Sequence, residues 1–202
     1  MNKGRLFVIS GPSGTGKGTI CKELIKDKNI RLSVSMTTRN PREGEVHGVS
    51  YYFATKEEFL QKIEAGGFLE YAEVFGNYYG TPKGPVLEKL AKGIDVVLEI
   101  DIQGALKVKE NYPDGVFVFI LPPSLSELRK RLTGRGTETA EAIELRLGET
   151  LKELSYIDKY DYCVVNGDLD EAVARVKAIT VAEHSKVTFS AEELVESYKE
   201  EA

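Results

Sequence analysis

The stretch GPSGTGKGT at residues 11–19 sets four glycines and one lysine directly after the apolar run Leu6-Phe7-Val8-Ile9. Glycines leave backbone N–H groups bare enough to approach anionic oxygens. A helix starting near Lys17 aims the positive end of its dipole at the same point. Lys17 adds a mobile cation, and the ligand that best fits the whole set is a triphosphate. The spacing Gly-x-x-x-x-Gly-Lys-Ser/Thr is met by Gly11, Gly16 and Lys17, but Gly18 stands where the hydroxyl residue belongs and the hydroxyl is displaced to Thr19. That displacement leaves two roles open for Thr19, one on the α-phosphate and one beside a metal-bound water. A ligand-free tight turn would also use glycine; strand, glycine spacing, lysine and helix in this order favour phosphate.

A second anion site is suggested by SMTTRNPR at 35–42, where Arg39 and Arg42 flank a Pro turn. Each guanidinium offers a planar fork of donors suited to phosphate. Tyr51 and Tyr79 carry hydroxyls that can donate to the same group. Glu70, on an alternating strand pattern, is an acceptor-only carboxylate able to take two adjacent N–H donors. Guanine presents such a pair and adenine does not. Further on, LEIDIQG ends an apolar run with Glu99 and Asp101, two apart and so expected on one face of a strand. LRKRLTGRGTET then supplies Arg129, Lys130, Arg131 and Arg135, with Arg146 following; Arg135, Arg146 and Arg131 are the candidate cations, and Arg129 with Lys130 reads as a solvated helix face. Phosphoryl transfer asks mainly for positioning and positive charge, which such a group could bring. Asn166, after the run DYCVV, falls where ligands of open α/β sheets bind. His47 and His184 read as surface residues with no general-base work.

These groups need a scaffold. Residues 5–10, 94–100, 116–121 and 161–165 are short, β-branched or aromatic and apolar throughout, as strands of a buried parallel sheet are. Helical patterns lie between them at 18–28, 82–92, 124–133, 139–157 and 168–184, which predicts an α/β fold with helices on both faces. Small polar residues followed three later by Glu mark helix starts at Thr55, Ser124, Asp168 and Ser190. From about 32 to 81 the rhythm breaks into short strands (RLSVSMTT, GVSYYFA, FLEYAEVF, NYYGT) with one helix at 55–65, a mainly β insertion. The 202 residues suit one unit, and a net charge of −5 argues against a nucleic-acid or anionic-membrane partner. Cys21 and Cys163 stand far apart and read as buried reduced thiols. With neither a signal core nor a membrane-length apolar run, the expected compartment is the cytoplasm.

In their order and spacing, GPSGTGKGT, SVSMTTRNPREGEVHGVSYYF, FLEYAEVFGNYYGT, LEIDIQGA and RLTGRGTET resemble the bacterial guanylate kinases over nearly the whole chain. The resemblance implies a P-loop core (1–31, 82–133 and 147–202), a nucleoside-monophosphate-binding insertion (32–81) and a lid at about 134–146. It implies the reaction ATP + GMP giving ADP + GDP, with dGMP as a further acceptor and magnesium as cofactor. No obligatory protein partner is implied. Carried over by position, Gly11, Pro12, Ser13, Gly14, Thr15, Gly16, Lys17, Gly18, Thr19 and Asn166 would bind ATP, with Arg135 stacked on adenine. Arg39, Arg42, Tyr51 and Tyr79 would hold the GMP phosphate. Ser35, Glu70 and Thr81 would read guanine. Glu99 and Asp101 would orient the GMP site and the magnesium shell. Magnesium itself would be held mainly by phosphates and water, with Thr19 and Asp101 as side-chain candidates. Two other readings remain open: a kinase for a different nucleoside monophosphate, and a non-catalytic scaffold-type module that binds phosphopeptides. Glu70 argues against the first, the intact Lys17 loop against the second.

Overall fold

The computed structural model describes residues 3–134, 139–188 and 190–200. Its main sheet contains five parallel strands in the order β2 (Ile30–Leu32), β7 (Asp95–Glu99), β1 (Leu6–Ser10), β8 (Val116–Leu121) and β9 (Tyr162–Val165). Strand β1 is buried along its length because both of its faces are covered. On one face Phe7, Ile9, Val97, Val118 and Ile120 pack with helices α1 (Lys17–Leu24) and α7 (Leu169–His184). On the other, Leu6, Val8, Val96, Leu98 and Phe117 pack against α3 (Lys83–Ala91) and α4 (Ile102–Asn111).

A second sheet has the order β4 (Tyr52–Phe53), β3 (Met36–Thr37), β6 (Asn77–Pro82), β5 (Phe68–Val74). The β5–β6 hairpin turns through Phe75 and Gly76, both at positive φ, as a two-residue turn matched to strand twist requires. Helix α2 (Lys56–Glu64) is closed by a capping box in which Thr55 and Glu58 satisfy each other's backbone N–H. The caps at Ser124, opening α5 (Leu125–Thr133), and at Asp168, opening α7, also form. Helix α6 (Ala140–Leu154) is knitted to α5 by Leu128, Leu132, Ile143 and Leu147. A surface helix α8 (Ala191–Glu200) ends the described chain, and no described helix is long and apolar enough to cross a membrane.

The pattern of the sequence misses α4 and misreads three details. RLSVSMTT is two strands, not one: Ile30–Leu32 joins the main sheet beside β7, and Met36–Thr37 joins the second. Cys163 is exposed, because β9 is the edge strand and only its Tyr162 and Val164 side turns toward α7. Asp101 does not continue a strand face with Glu99. It lies beyond the end of β7 and caps α4, its Oδ1 accepting the Gly104 N–H at 2.7 Å.

Candidate active site

The phosphate-type loop leaves β1 at the point where chain order reverses, since β7 lies on one side of β1 and β8 on the other. A crevice forms at the carboxyl ends of such strands. Gly11, Gly14 and Gly16 all have positive φ, a conformation that turns successive N–H groups inward and that side chains with a Cβ resist. Thr15 is buried and closes the loop through its hydroxyl, which donates to the Pro12 carbonyl at 2.9 Å. Asn166, also buried, donates its amide N–H to the Thr15 carbonyl at 2.8 Å. This asparagine therefore shapes the loop from behind. Helix α5 braces the opposite side: a Cβ at Gly14 would meet Leu128 and Leu132 at 2.9 Å.

Lys17 folds back over the loop, its ammonium donating to the carbonyls of Gly11 at 2.6 Å and Pro12 at 2.8 Å. Burial pulls this ammonium below its ordinary range, while the carboxylates of Glu99, Glu153 and Asp101 oppose that shift. Glu99 reaches the loop itself. A Cβ at Gly18 would lie 3.0 Å from Glu99 Oε1, so the position after the lysine is close to a carboxylate and has little room for a hydroxyl side chain. Thr19 is exposed on the first turn of α1. Arg146 reaches across from α6 to donate to the Ser13 hydroxyl at 2.9 Å. Arg131 donates to the Gly167 carbonyl and pairs with Glu127 at 3.4 Å. Arg129 and Lys130 pair with Glu144 and Glu127 on the surface. Arg135 lies outside the described residues.

Between the second sheet and the ends of β2 and β7 lies a cavity of about 160 Å³ lined by Leu32, Ser33, Ser35, Ser50, Tyr51, Thr81, Leu98, Glu99 and Ile100. Glu70 is joined to that lining through Thr81, whose hydroxyl donates to Glu70 Oε1 at 2.7 Å. Burial pushes the Glu70 carboxyl above its ordinary range against the opposing effect of that bond. The Tyr51 and Tyr79 rings meet edge to face at 6.2 Å, and the Arg39 guanidinium lies 5.6 Å from the Tyr51 ring centre. Ser35, Arg39, Tyr51, Tyr79, Thr81, Glu70 and Glu99 thus form one connected cluster, although 64 positions separate the first from the last. Arg42 is tied to it through its backbone, and its side chain is exposed.

That tie runs through a residue the sequence reading passed over. Glu45 accepts from Arg39 Nη2 with both oxygens, at 2.8 and 3.0 Å, and takes the Arg42 backbone N–H at 2.8 Å. The Arg39 hydrogen bond, with that backbone bond next, holds the Glu45 carboxyl below its ordinary range. Its signal was present in RNPREGE: acids following so closely on two arginines aimed at one anion, here Glu43 and Glu45, need a reason to be there. Glu153 facing Lys17 had no such signal, because it comes from the far end of α6.

Two basic or amide-lined concavities, one fed by β1 and one by a separate sheet, meet at Glu99. This arrangement can hold two phosphorylated ligands end to end. Among the described residues no group of three or more His, Cys, Asp or Glu side chains is placed to hold a metal ion.

Comparison with known proteins matches the family model described as "Guanylate kinase" to residues 3–183. The guanylate kinase of Clostridium tetani is 59% identical over 187 residues, covering 93% of this chain and 90% of that one. That of Clostridioides difficile is 52% identical over 202 residues, covering 100% and 98%. The crystal structure of guanylate kinase from Anaplasma phagocytophilum superposes with a TM-score of 0.74 at 38% identity, covering 97% of this chain and 95% of that one.

Proposed function

This chain belongs to the guanylate kinase family, which transfers a phosphoryl group from ATP to GMP, and from that premise we propose how its own residues divide the work. The observation that carries the assignment is Glu99, which lines the cavity beside the second sheet and also lies against Gly18 of the phosphate loop. Acceptor and donor phosphates bound at the two places would therefore meet across it.

The triphosphate of ATP takes the loop 11–19. Lys17 exchanges the carbonyls of Gly11 and Pro12 for phosphate oxygens, a swap of neutral partners for anionic ones that strengthens each hydrogen bond. GMP lies on the second sheet. Glu70 accepts guanine N1–H and the 2-amino group, with the Thr81 hydroxyl fixing the carboxylate and the hydroxyl of Ser35 donating to O6. Arg39, Arg42, Tyr51 and Tyr79 hold the GMP phosphate. An oxygen of that phosphate is already an anion, so it attacks the γ-phosphorus in line without a side-chain base. The bond from that phosphorus to the β,γ-bridging oxygen breaks and ADP leaves. Lys17, Arg131 and Arg146, with Arg135 of the lid, balance the negative charge spread over the transferred group.

Magnesium fits this donor set. Asp101, Glu99 and the Thr19 hydroxyl offer the oxygen ligands it prefers, and with no cage of acids among the described residues most of its shell would be phosphate and water. When bound, it neutralises phosphate charge. The binding of dGMP as well as GMP follows if the ribose is read weakly.

An ADP-release assay with ATP, magnesium and, separately, GMP, dGMP, AMP, CMP, UMP and dTMP tests the reading. Turnover with the guanine acceptors alone is the expected result. Turnover with another base would leave the kinase standing and remove Glu70 from base selection.

A further inference from the structure

The strand that carries Glu70 is irregular at that residue. Phe68 pairs with Pro82 and Glu70 with Thr81, so Leu69 is an extra residue with no partner on β6. A bulge of this kind bends its strand and re-aims the neighbouring side chain. The approach is close: a Cβ on Gly80 would fall 2.8 Å from the Glu70 carbonyl. Strand β5 is also the edge of its sheet. The carbonyls of Leu69 and Tyr71, on either side of Glu70, therefore have no strand to pair with.

Helix α4 fills that edge. Asn111 donates its amide N–H to the Leu69 carbonyl at 2.9 Å, and Lys107 donates its ammonium to the Tyr71 carbonyl at 2.8 Å. The two donors are four apart on one helix face, a rise of about 6 Å. Two residues along a strand advance roughly 6.8 Å, so the spacings match and the helix stands in for a missing strand. Leu69 itself is buried with Ala105 and Val108 of α4 in the main core. The same helix is capped by Asp101, at the end of the strand bearing Glu99.

We infer that Lys107 and Asn111 are positioning residues for base selection: by holding the carbonyls flanking Glu70 they fix the bulge and aim its carboxylate at the acceptor base. The inference rests on the reading of Glu70 as the guanine acceptor. Neither residue touches substrate. Their effect is on where a carboxylate sits relative to two N–H donors: N111A removes a neutral donor, K107M removes a donor together with a positive charge that acts on Glu70, and K107R keeps the charge.

The test compares kcat/KM for GMP and for inosine monophosphate, which keeps N1–H and O6 but lacks the 2-amino group. Wild type, K107M, K107R, N111A, the K107M/N111A double variant and E70Q are measured, with thermal melting as a check on folding. The double variant is expected to lower the GMP/IMP ratio by about tenfold, each single variant less, with KM for ATP within about twofold and K107R close to wild type. E70Q, read alongside, tests the premise by collapsing the same ratio. If E70Q collapses it and the double variant leaves it unchanged, the positioning role is refuted, even where melting temperature and both rates fall together. If E70Q itself leaves the ratio unchanged, the guanine-reading role of Glu70 fails and the inference goes with it.

Discussion

Replacing Glu70 with Gln keeps size and shape and exchanges a carboxylate for an amide. The structure places this residue in a desolvated position, one oxygen already accepting from Thr81 at 2.7 Å. Facing guanine, Gln offers one acceptor and one donor where two acceptors are needed. One charge-assisted bond becomes neutral or lost, worth roughly 1.5–3 kcal/mol, and one N–H is left opposite another, worth about 1–3 kcal/mol. Their middle values sum to about 4 kcal/mol, or roughly three decades in kcat/KM for GMP at about 1.4 kcal/mol per decade. Adenine changes in the opposite direction, because an amide N–H can face its N1 acceptor where a carboxylate repels it. AMP turnover should therefore rise by about tenfold. Both substrates are followed by ADP release at fixed ATP, with KM for ATP and the melting curve as controls. A GMP/AMP ratio within about threefold of wild type, with the fold intact, would falsify the base-reading argument.

Lys17→Ala removes the cation nearest the transferred group and should lower kcat by about 10³ or more while KM for GMP changes little; a loss under about tenfold would put the charge elsewhere. Glu45→Gln should raise KM for GMP by about tenfold and leave KM for ATP alone, since it loosens Arg39 and Arg42 together. A fall in KM for GMP would mean instead that Glu45 competes with phosphate. Burial raises the Glu70 pKa, so this carboxyl takes up its proton at a higher pH than an ordinary glutamate. GMP binding measured by calorimetry should weaken as pH falls through that raised value, and E70Q should lack this limb. The same shift means that ionised Glu70 costs stability, the cost growing as pH rises from the ordinary to the raised pKa and constant above it. E70Q should therefore melt higher than wild type at neutral pH without ligand.

The phosphate loop was legible because everything it needs is local: a strand, glycines at positive φ, a lysine and a helix follow each other within about twenty residues. The capping pair Thr55 and Glu58 was legible for the same reason. Helix α4 is less legible, although ALKVKEN is rich in helix formers, because Gly104 interrupts its first turn and its cap is Asp101, an acid that the strand spacing from Glu99 assigns to a different role. RLSVSMTT carries one unbroken β pattern, yet its two halves go to different sheets. Ser33 donates to Val97 in the core, and Met36 pairs with Gly80 in the second sheet.

The residue types at the site, the parallel sheet and the loop can be read along the chain, because side-chain chemistry and backbone periodicity are properties of neighbours in sequence. Which acids face which cations depends on packing between segments far apart in the chain. Glu99 against Gly18, Glu153 toward Lys17, Glu45 between two arginines and α4 beside Glu70 are set by where strands and helices cross. Burial then changes what those charges are worth, and burial is a property of the packed molecule that no short segment carries.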